Sequence, residues 1–93
     1  MYSVYIIKNL SGKIYIGITN NIQKRLNYHN TNRGALFTKT EDKFFIVFSE
    51  NYTSLAGART REIQIKKWRR DKKEIIIKRF SLGLPTKLKH AES

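Results

Sequence analysis

The sequence contains no cysteine, only one proline and no long apolar run. Without thiols the chain can form neither a disulfide framework nor a thiolate metal site. A membrane-spanning helix needs roughly 18 consecutive apolar residues, and no stretch here approaches that length. Nothing at the N-terminus resembles a signal peptide, because strand-forming residues begin at once. These absences predict a soluble, cytoplasmic protein.

Acidic residues are also scarce, with seven Asp and Glu against 19 Lys and Arg and a net charge of +12. Such an excess is typical of nucleic-acid binders, whose affinity rests on contacts with phosphates. An anionic membrane surface is the competing partner, and charge alone does not separate the two. Ten of the 19 basic residues lie between Arg59 and Arg79. We interpret this run as part of a surface that faces DNA rather than as a generic solvated face.

A chain of 93 residues has room for one domain with a single modest core. Hydrophobic residues make up 40% of the sequence, with five Tyr and five Phe, which argues for a folded domain. The pattern predicts an α/β (α+β) fold in the order ββαβαα, a small three-stranded sheet with helices packed on it. We predict a folded domain over residues 1–82 and a polar, disordered tail over 83–93. A monomer is expected.

Two short strands are predicted at the N-terminus, Ser3–Lys8 and Lys13–Ile18. Both show the alternation of apolar and polar positions that is typical of strands, and both are rich in Val, Ile and Tyr. Alternate residues of a strand point to opposite faces of a sheet. Isoleucines at positions 14, 16 and 18 therefore share one face of the second strand, which is available to a core.

The turn between these strands decides whether their tyrosines meet. A three-residue loop ending in Gly12 suits a hairpin in which glycine takes the left-handed conformation. That register pairs Ile7 with Tyr15 and Tyr5 with Gly17, so both phenols stand on one face. A two-residue loop separates them, because a slip of one residue reverses every side chain. We favour the three-residue loop.

A first helix is predicted from about Asn21 to His29, opened by a capping pair of Asn20 and Gln23. Arg25 and His29 are four residues apart in this helix. Side chains at that spacing lie one turn apart on the same flank.

The polar stretch Asn30–Lys43 is interpreted as a long connecting loop, and loops of this length in small domains are often functional. Its Arg33 and Lys39 are candidates to contact a phosphate backbone. The apolar run Phe44–Phe48 is predicted to be a well-covered strand of the same sheet.

A second, longer helix is predicted to be capped by Thr53 or Ser54 and to end near Arg70. Glu62 falls inside its apolar arc and is the only acid in that helix. An inward carboxylate costs free energy unless a cation compensates it. An interior ion pair with Arg25 would provide that compensation.

A third helix is predicted to start at a capping pair of Asp71 and Glu74. It is expected to stop near Gly83, since Pro85 prevents its continuation.

Five residues or tripeptides follow one another in a specific order along these elements. The first strand carries Val4-Tyr5-Ile6 and the second Tyr15-Ile16-Gly17. Arg25 and His29 lie on the first helix, and Glu62 on the second. In this pattern the chain resembles the GIY-YIG nuclease family over nearly its whole length, and most closely the small stand-alone bacterial members.

The resemblance implies hydrolysis of DNA phosphodiester bonds with one divalent ion, Mg²⁺ or Mn²⁺. Glu62 would be the metal ligand, and such ions accept one carboxylate together with waters and a substrate phosphate. By analogy Tyr15 is the general base and Tyr5 its partner. Arg25 would neutralise charge on the phosphoryl oxygens, and His29 would orient the water or relay a proton.

The resemblance has one notable departure, and it leaves alternatives of function open. Many active members carry an asparagine beyond the glutamate, whereas Glu74 to Lys78 offers none, and we interpret Glu74 as a cap rather than a substitute ligand. A DNA endonuclease that acts on structured DNA in repair or recombination is the leading hypothesis. A non-catalytic nucleic-acid-binding module is the alternative, and an interaction module for a larger complex is a third. Candidate nucleic-acid contacts are Lys13, Arg33, Lys39, Lys66, Arg69 and Arg70.

Overall fold

A computed structural model describes residues 1–32 and 43–87, with the backbone alone for residues 31 and 32. The predicted loop Asn30–Lys43, with Arg33 and Lys39, lies largely outside the described residues. The predicted fold class and the order ββαβαα are confirmed. The elements are β1 (Tyr2–Lys8), β2 (Ile14–Thr19), α1 (Ile22–Asn32), β3 (Phe45–Tyr52), α2 (Leu55–Lys67) and α3 (Arg70–Ser81).

The β1–β2 hairpin has the register that the three-residue loop predicts. Gly12 has a φ of +96°, the left-handed conformation that glycine adopts without a steric penalty. Tyr5 then pairs with Gly17, and Ile7 pairs with Tyr15. Both tyrosines consequently lie on one face of the sheet, and this prediction is confirmed.

Asn9 holds the turn of this hairpin and is itself buried. Its side-chain oxygen accepts hydrogen bonds from the backbone N–H of Lys13 and the hydroxyl of Ser11, both at 2.9 Å. Its own N–H donates to the carbonyl of Lys13 at 3.1 Å. The buried amide is thus paired, and it fixes the loop length on which the register depends.

The strands are ordered β2-β1-β3, so β1 is central and hydrogen-bonded on both sides. One face of the sheet packs against α2 and α3, and the other packs against α1. The first face holds a buried core of Val4, Ile6, Phe48, Ala58, Ile65 and Ile76. The second holds Tyr5, Ile7 and Phe44, with Ile22, Leu26 and Ile46 packed against them.

β3 is longer than the predicted strand Phe44–Phe48 and contains an irregularity. Its register with β1 shifts between Ile6, which pairs with Phe48, and Ile7, which pairs with Ile46. The extra residue, Val47, packs against the same core as Phe48. The polar residues that follow have weak strand propensity, but pairing with the central strand overrides it.

The caps of α1 and α2 differ in part from the prediction. Asn21, not the predicted pair of Asn20 and Gln23, caps α1: its side-chain oxygen accepts a hydrogen bond from the N–H of Lys24 at 3.1 Å. Ser54 caps α2 by accepting from the N–H of Gly57 at 3.1 Å, as one of the two predicted candidates.

The boundary between α2 and α3 falls earlier than predicted. α2 ends at Lys67 rather than near Arg70, because Trp68 has an extended backbone with ψ of 151°. The predicted capping pair of Asp71 and Glu74 is wrong, since α3 already begins at Arg70 and its cap makes no side-chain hydrogen bond.

α3 ends at Ser81, close to the predicted stop. Gly83 follows with a φ of +71°, the left-handed conformation common after a helix. The described chain then returns to β3, where the hydroxyl of Thr86 donates a hydrogen bond to Glu50. The domain boundary at residue 82 stays a prediction. No helix in the described ranges has the length and apolar character to cross a membrane.

Candidate active site

The site is built around Tyr5, a central-strand residue that is only 5% exposed. Its ring crosses over Gly17 on the neighbouring strand. A Cβ atom at position 17 would lie 2.7 Å from the Tyr5 hydroxyl and 2.9 Å from its Cζ, closer than atoms can pack. The glycine is therefore what gives the phenol its place on the sheet.

Tyr15 and His29 meet on the same face of the sheet, above Phe44. The rings of Tyr15 and His29 are stacked, with centroids 5.4 Å apart and an interplanar angle of 27°. Phe44 packs edge-on against Tyr15 at 5.3 Å and lies 6.3 Å from the His29 ring. These residues and Tyr5 form what we call the aromatic cluster. It combines three groups that can exchange protons with one purely apolar ring.

Phe44 is held under this cluster by Asn30, near the end of α1. The side-chain oxygen of Asn30 accepts from the Phe44 N–H at 2.9 Å, and its amide nitrogen donates to the Phe44 carbonyl at 3.2 Å. One side chain thus satisfies both backbone groups of a fully buried residue. It also ties the end of α1 to the start of β3.

Tyr5 and His29 are in contact at their polar atoms. The Tyr5 hydroxyl lies 3.5 Å from His29 Nε2, at the long limit for a hydrogen bond. Burial raises the pKa of Tyr5; the positive charge of Arg25 partly opposes this shift, and the negative charge of Glu62 adds to it. Since the net shift is upward, Tyr5 stays a protonated phenol near neutral pH. It can donate a hydrogen bond, which fits the predicted role of a partner rather than a base.

Arg25 lies one turn before His29 on α1 and is exposed. Its guanidinium carbon is 5.6 Å from the centre of the Tyr28 ring, a cation–π arrangement. Its charge also acts on Tyr5. Arg25 therefore lies against Tyr28, one helical turn before His29, and its charge reaches Tyr5.

Glu62 is buried, as its inward position in the sequence predicts, with 8% of its surface exposed. Its carboxylate forms an ion pair with Lys66 one turn later, at 3.0 Å. Lys66, and not Arg25, is thus the ion-pair partner. The charge of Glu62 acts on Tyr5 although α2 packs mainly on the opposite face of the sheet. A carboxylate and a cation are accordingly paired on α2, and the charge of the carboxylate reaches Tyr5.

The potential metal ligands at this site are compatible with one small divalent ion that keeps most of its waters, but not with an ion bound entirely by protein side chains. Among the described residues, no group of three or more His, Asp or Glu side chains gathers around one point. Mg²⁺ is commonly bound through one or two carboxylates and substrate phosphates while it keeps several waters. Glu62 meets that requirement, although an ion bound there would have to displace Lys66 from the carboxylate.

A cavity of about 400 Å³ adjoins the site at the start of α1. Sequence reasoning did not identify it, and neither Lys24 nor Tyr28 was among the predicted functional residues. The sequence signal that could have identified Lys24 and Tyr28 was their position near Arg25 along one helix face. The lining residues are Thr19, Asn20, Asn21, Lys24, Arg25 and Tyr28.

The fold and the order of these residues agree with one family description. A sequence model of the GIY-YIG catalytic domain matches residues 1–74 of the chain. The chain belongs to the GIY-YIG family. Members of this family are typically nucleases, which act on nucleic acid and generally use divalent metal ions.

Several small bacterial proteins are similar over most of their length. A UPF0213 protein of Bacillus pumilus is 32% identical over 78 residues, which are 84% of this chain and 80% of the relative. A UPF0213 protein of Staphylococcus aureus is 36% identical over 75 residues, 81% of this chain and 92% of the relative. The solution NMR structure of a UPF0213 protein from Bacillus halodurans matches with a TM-score of 0.54 and 29% identity, covering 84% of both chains. Their names assign neither a reaction nor a metal.

Glu74, the residue considered above as a substitute for the family's asparagine, makes structural contacts. Both of its oxygens accept from Lys8 at 3.1 Å, and one accepts from Arg70 at 2.8 Å. Arg70 also donates to the carbonyl of Gly12 at 2.9 Å. The hydrogen bond from Arg70 is the largest influence on the pKa of Glu74, which lies below its ordinary value. The carboxylate thus joins α3 to the hairpin turn instead of serving as a cap.

Arg61 departs most from the expectation that the basic run faces DNA, because it is buried beside Glu50. Its guanidinium donates to both Glu50 oxygens, at 2.9 and 3.3 Å, and to the Thr86 carbonyl at 3.1 Å. Burial by itself raises the pKa of Glu50, but hydrogen bonds from Arg61 and Thr86 outweigh it and hold that pKa below its ordinary value. The spacing of Arg61, three residues after Ala58 and four before Ile65, was the sequence signal that could have predicted its burial.

The predicted phosphate contacts therefore fall into three groups. Lys13, Lys66 and Arg69 are exposed, although Lys66 pairs with Glu62. Arg70 is engaged with Glu74 and the hairpin turn. The remaining two, Arg33 and Lys39, lie outside the described residues.

Proposed function

We propose that this GIY-YIG protein is a metal-dependent endonuclease that hydrolyses DNA phosphodiester bonds, with a preference for structured DNA. The observation that carries the proposal is the convergence of Tyr5, Tyr15 and His29 on one sheet face. The charges of Arg25 and Glu62 both act on Tyr5. These are the side chains that the family pattern predicts.

Glu62 would hold one Mg²⁺ or Mn²⁺ ion together with a substrate phosphate and waters. When bound, the ion would supply Lewis-acid polarisation of the phosphate and stabilise the departing oxygen. Lys66 would exchange its pairing with Glu62 for a phosphate, which suits an exposed lysine.

The remaining groups divide the work of positioning and proton transfer. Arg25 would bind the phosphoryl oxygens through its planar guanidinium and neutralise the charge that grows there. Tyr5, kept protonated, would donate a hydrogen bond and position its neighbours. Tyr15 is 39% exposed and can reach a water molecule, so it would take the proton as that water attacks. His29, stacked on Tyr15, would orient the water or relay the proton.

The test is nicking of supercoiled plasmid and of branched DNA in Mg²⁺ or Mn²⁺. Wild-type protein should nick DNA, and both a chelator and Glu62→Gln should abolish the activity. Lack of cleavage across several metals and DNA structures would overturn the proposal.

A matched pair of variants separates metal binding by Glu62 from its ion pair. Mn²⁺ broadening of NMR resonances around Tyr15 and Arg25 should disappear in Glu62→Gln. It should persist in Lys66→Ala, because that variant keeps the carboxylate and loses the competing cation. Equal loss of broadening in both variants would mean that the ion pair, not the metal, is the role of Glu62.

A non-catalytic nucleic-acid-binding module is the second candidate. It is favoured by the net charge of +12 and by the existing pairing of Glu62 with Lys66. In this case DNA binding would be sensitive to salt and unaffected by Tyr15→Phe, with no cleavage to lose. Cleavage by the wild type that disappears in Tyr15→Phe would exclude it.

A further inference from the structure

The cavity at the start of α1 is organised by one face of that helix. Lys24 and Arg25 lie three and four residues after Asn21, and Tyr28 lies four and three residues after them, which places these side chains on a common face. Thr19 closes the end of the cavity: its hydroxyl accepts from the Asn21 N–H at 3.1 Å and donates to the Asn21 carbonyl at 3.2 Å. The cavity is thus a built feature of the strand–helix connection.

Tyr28 is the aromatic wall of this cavity and is 56% exposed. Its ring meets His29 edge-on, with centroids 6.2 Å apart and an interplanar angle of 84°. An exposed aromatic side chain alone is ordinary on a protein surface. Here it stands beside two cations, Lys24 and Arg25, and the amides of Asn20 and Asn21. A planar ring, positive charge and amide groups together suit a ligand that is planar, anionic and rich in hydrogen-bonding groups.

We propose that the cavity binds one unpaired nucleotide of the substrate strand, with its base stacked on Tyr28 and its phosphate at Lys24 and Arg25. The size fits, because small-ligand sites begin at about 300 Å³. Base–aromatic stacking beside basic side chains is the usual means of binding single-stranded nucleic acid. The base must be unpaired, since a base inside a duplex cannot present its face to a side chain.

Arg25 connects this nucleotide site with the aromatic cluster. Its guanidinium lies against the Tyr28 ring, while its charge acts on Tyr5. A phosphate bound by Arg25 would lie beside Tyr28, whose ring centroid is 6.2 Å from that of His29 in the aromatic cluster. The position of the nucleotide next to the cleaved bond rests on the proposed function, but the binding of the nucleotide itself does not.

Binding of fluorescent single strands, measured by anisotropy in chelator, tests the site without any need for cleavage. For wild-type protein, one abasic residue at the correct position of a short strand should weaken binding about tenfold. Tyr28→Leu should bind intact and abasic strands equally, and Tyr28→Phe should restore the difference. Lys24→Ala should weaken both strands in the same proportion. If the abasic penalty is absent in wild type or unchanged in Tyr28→Leu, the proposal is wrong.

Phe45→Leu is the matched control, because Phe45 is 44% exposed and Lys43 lies 5.9 Å from the centre of its ring. This exposed aromatic with a nearby lysine is outside the cavity, so its variant should keep the full abasic penalty. Loss of the penalty in this variant would contradict the assignment to Tyr28. A measurement on wild-type protein is independent of any variant: the ring resonances of Tyr28 should shift with the intact strand and not with the abasic one.

The outcomes distinguish this site from the proposed nuclease activity. Cleavage without a Tyr28-dependent penalty would overturn the nucleotide site and leave the nuclease proposal intact. A Tyr28-dependent penalty without cleavage in any metal would support the nucleotide site and overturn the nuclease proposal.

Discussion

The two faces of the sheet have different roles, although neighbouring residues of one strand contribute side chains to both faces. On the face toward α2 and α3, Val4 and Ile6 are fully buried among other apolar side chains. On the face toward α1, Tyr5 stands between them in sequence but contacts His29. The first face is closed and mostly apolar, although it includes the buried Arg61–Glu50 ion pair, and the second is aromatic, polar and partly open. The difference shows that adjacent residues of one strand can serve stability and chemistry separately, because they point to opposite faces of the sheet.

The largest expected effect is on the closed face. Ile6→Ala should lower the free energy of unfolding by about 2–5 kcal/mol, because it leaves a cavity in a fully buried core. Denaturant unfolding measures this loss. Any protein that remains folded at low temperature should still nick DNA at a rate near that of wild type. A specific loss of cleavage in the folded fraction would contradict the separation of the two faces.

Gly17→Ala should affect the open face next most strongly. The new Cβ would overlap the Tyr5 ring, so the phenol must move, and we expect cleavage to fall about 100-fold. Overpacking should also cost about 1–3 kcal/mol of stability. The double variant Tyr5→Ala/Gly17→Ala provides the check, because the steric conflict is then absent. Its loss of stability should be smaller than the sum of the two single losses, and strict additivity would contradict the steric explanation.

Tyr5→Phe sharpens the comparison with the smallest chemical change. The variant keeps the ring and loses the hydroxyl near His29, so stability should change by less than about 1 kcal/mol. Cleavage should fall about tenfold, as expected for a positioning group rather than a base. Side-by-side thermal melts and nicking rates measure the two effects. Unchanged nicking would show that Tyr5 is not part of the active site. Ile6→Ala in the core is the contrasting variant, because it should lose stability and keep its cleavage activity.

The acid stability of the fold should depend more on Glu50 than on Glu74. Both have a folded-state pKa below the ordinary value of 4.5, so their stabilisation is present above that pH and is lost as pH falls through the lowered pKa. Glu50→Gln should therefore flatten the decline of stability below about pH 4.5. Glu74→Gln should do so less, since that side chain is 37% exposed and solvent screens it. Equal effects in urea melts across pH would contradict this ranking.

The sequence was most informative where structure is set locally. The loop ending in Gly12 and the alternation of the flanking strands were sufficient to predict the register that unites Tyr5 and Tyr15. The inward position of Glu62 followed from helical periodicity alone. These features depend on residues close together in the chain, so the pattern contained what was needed.

What the sequence could not reveal depends on contacts between distant segments. The pairing of Glu50 with Arg61 requires β3 to extend past its apolar part, and that extension depends on pairing with β1 and on packing against the core. Glu74 has the spacing of a cap, yet Lys8, far away in sequence, recruits it to the hairpin. The cavity at Tyr28 depends on how the β2–α1 connection folds. Charge counts also placed Arg61 and Arg70 on a DNA-facing surface, although both are engaged within the protein.

The central position of β1 has a consequence for the order in which the protein can form during synthesis. β1 and β2 can pair as soon as the hairpin leaves the ribosome, but the other edge of β1 stays open until β3 emerges, more than 20 residues later. Through that interval the nascent hairpin already carries both phenols and lacks the carboxylate of α2. We expect the growing chain to gain the capacity to cut only after Glu62 has been made, by which time the exposed strand edge is also covered.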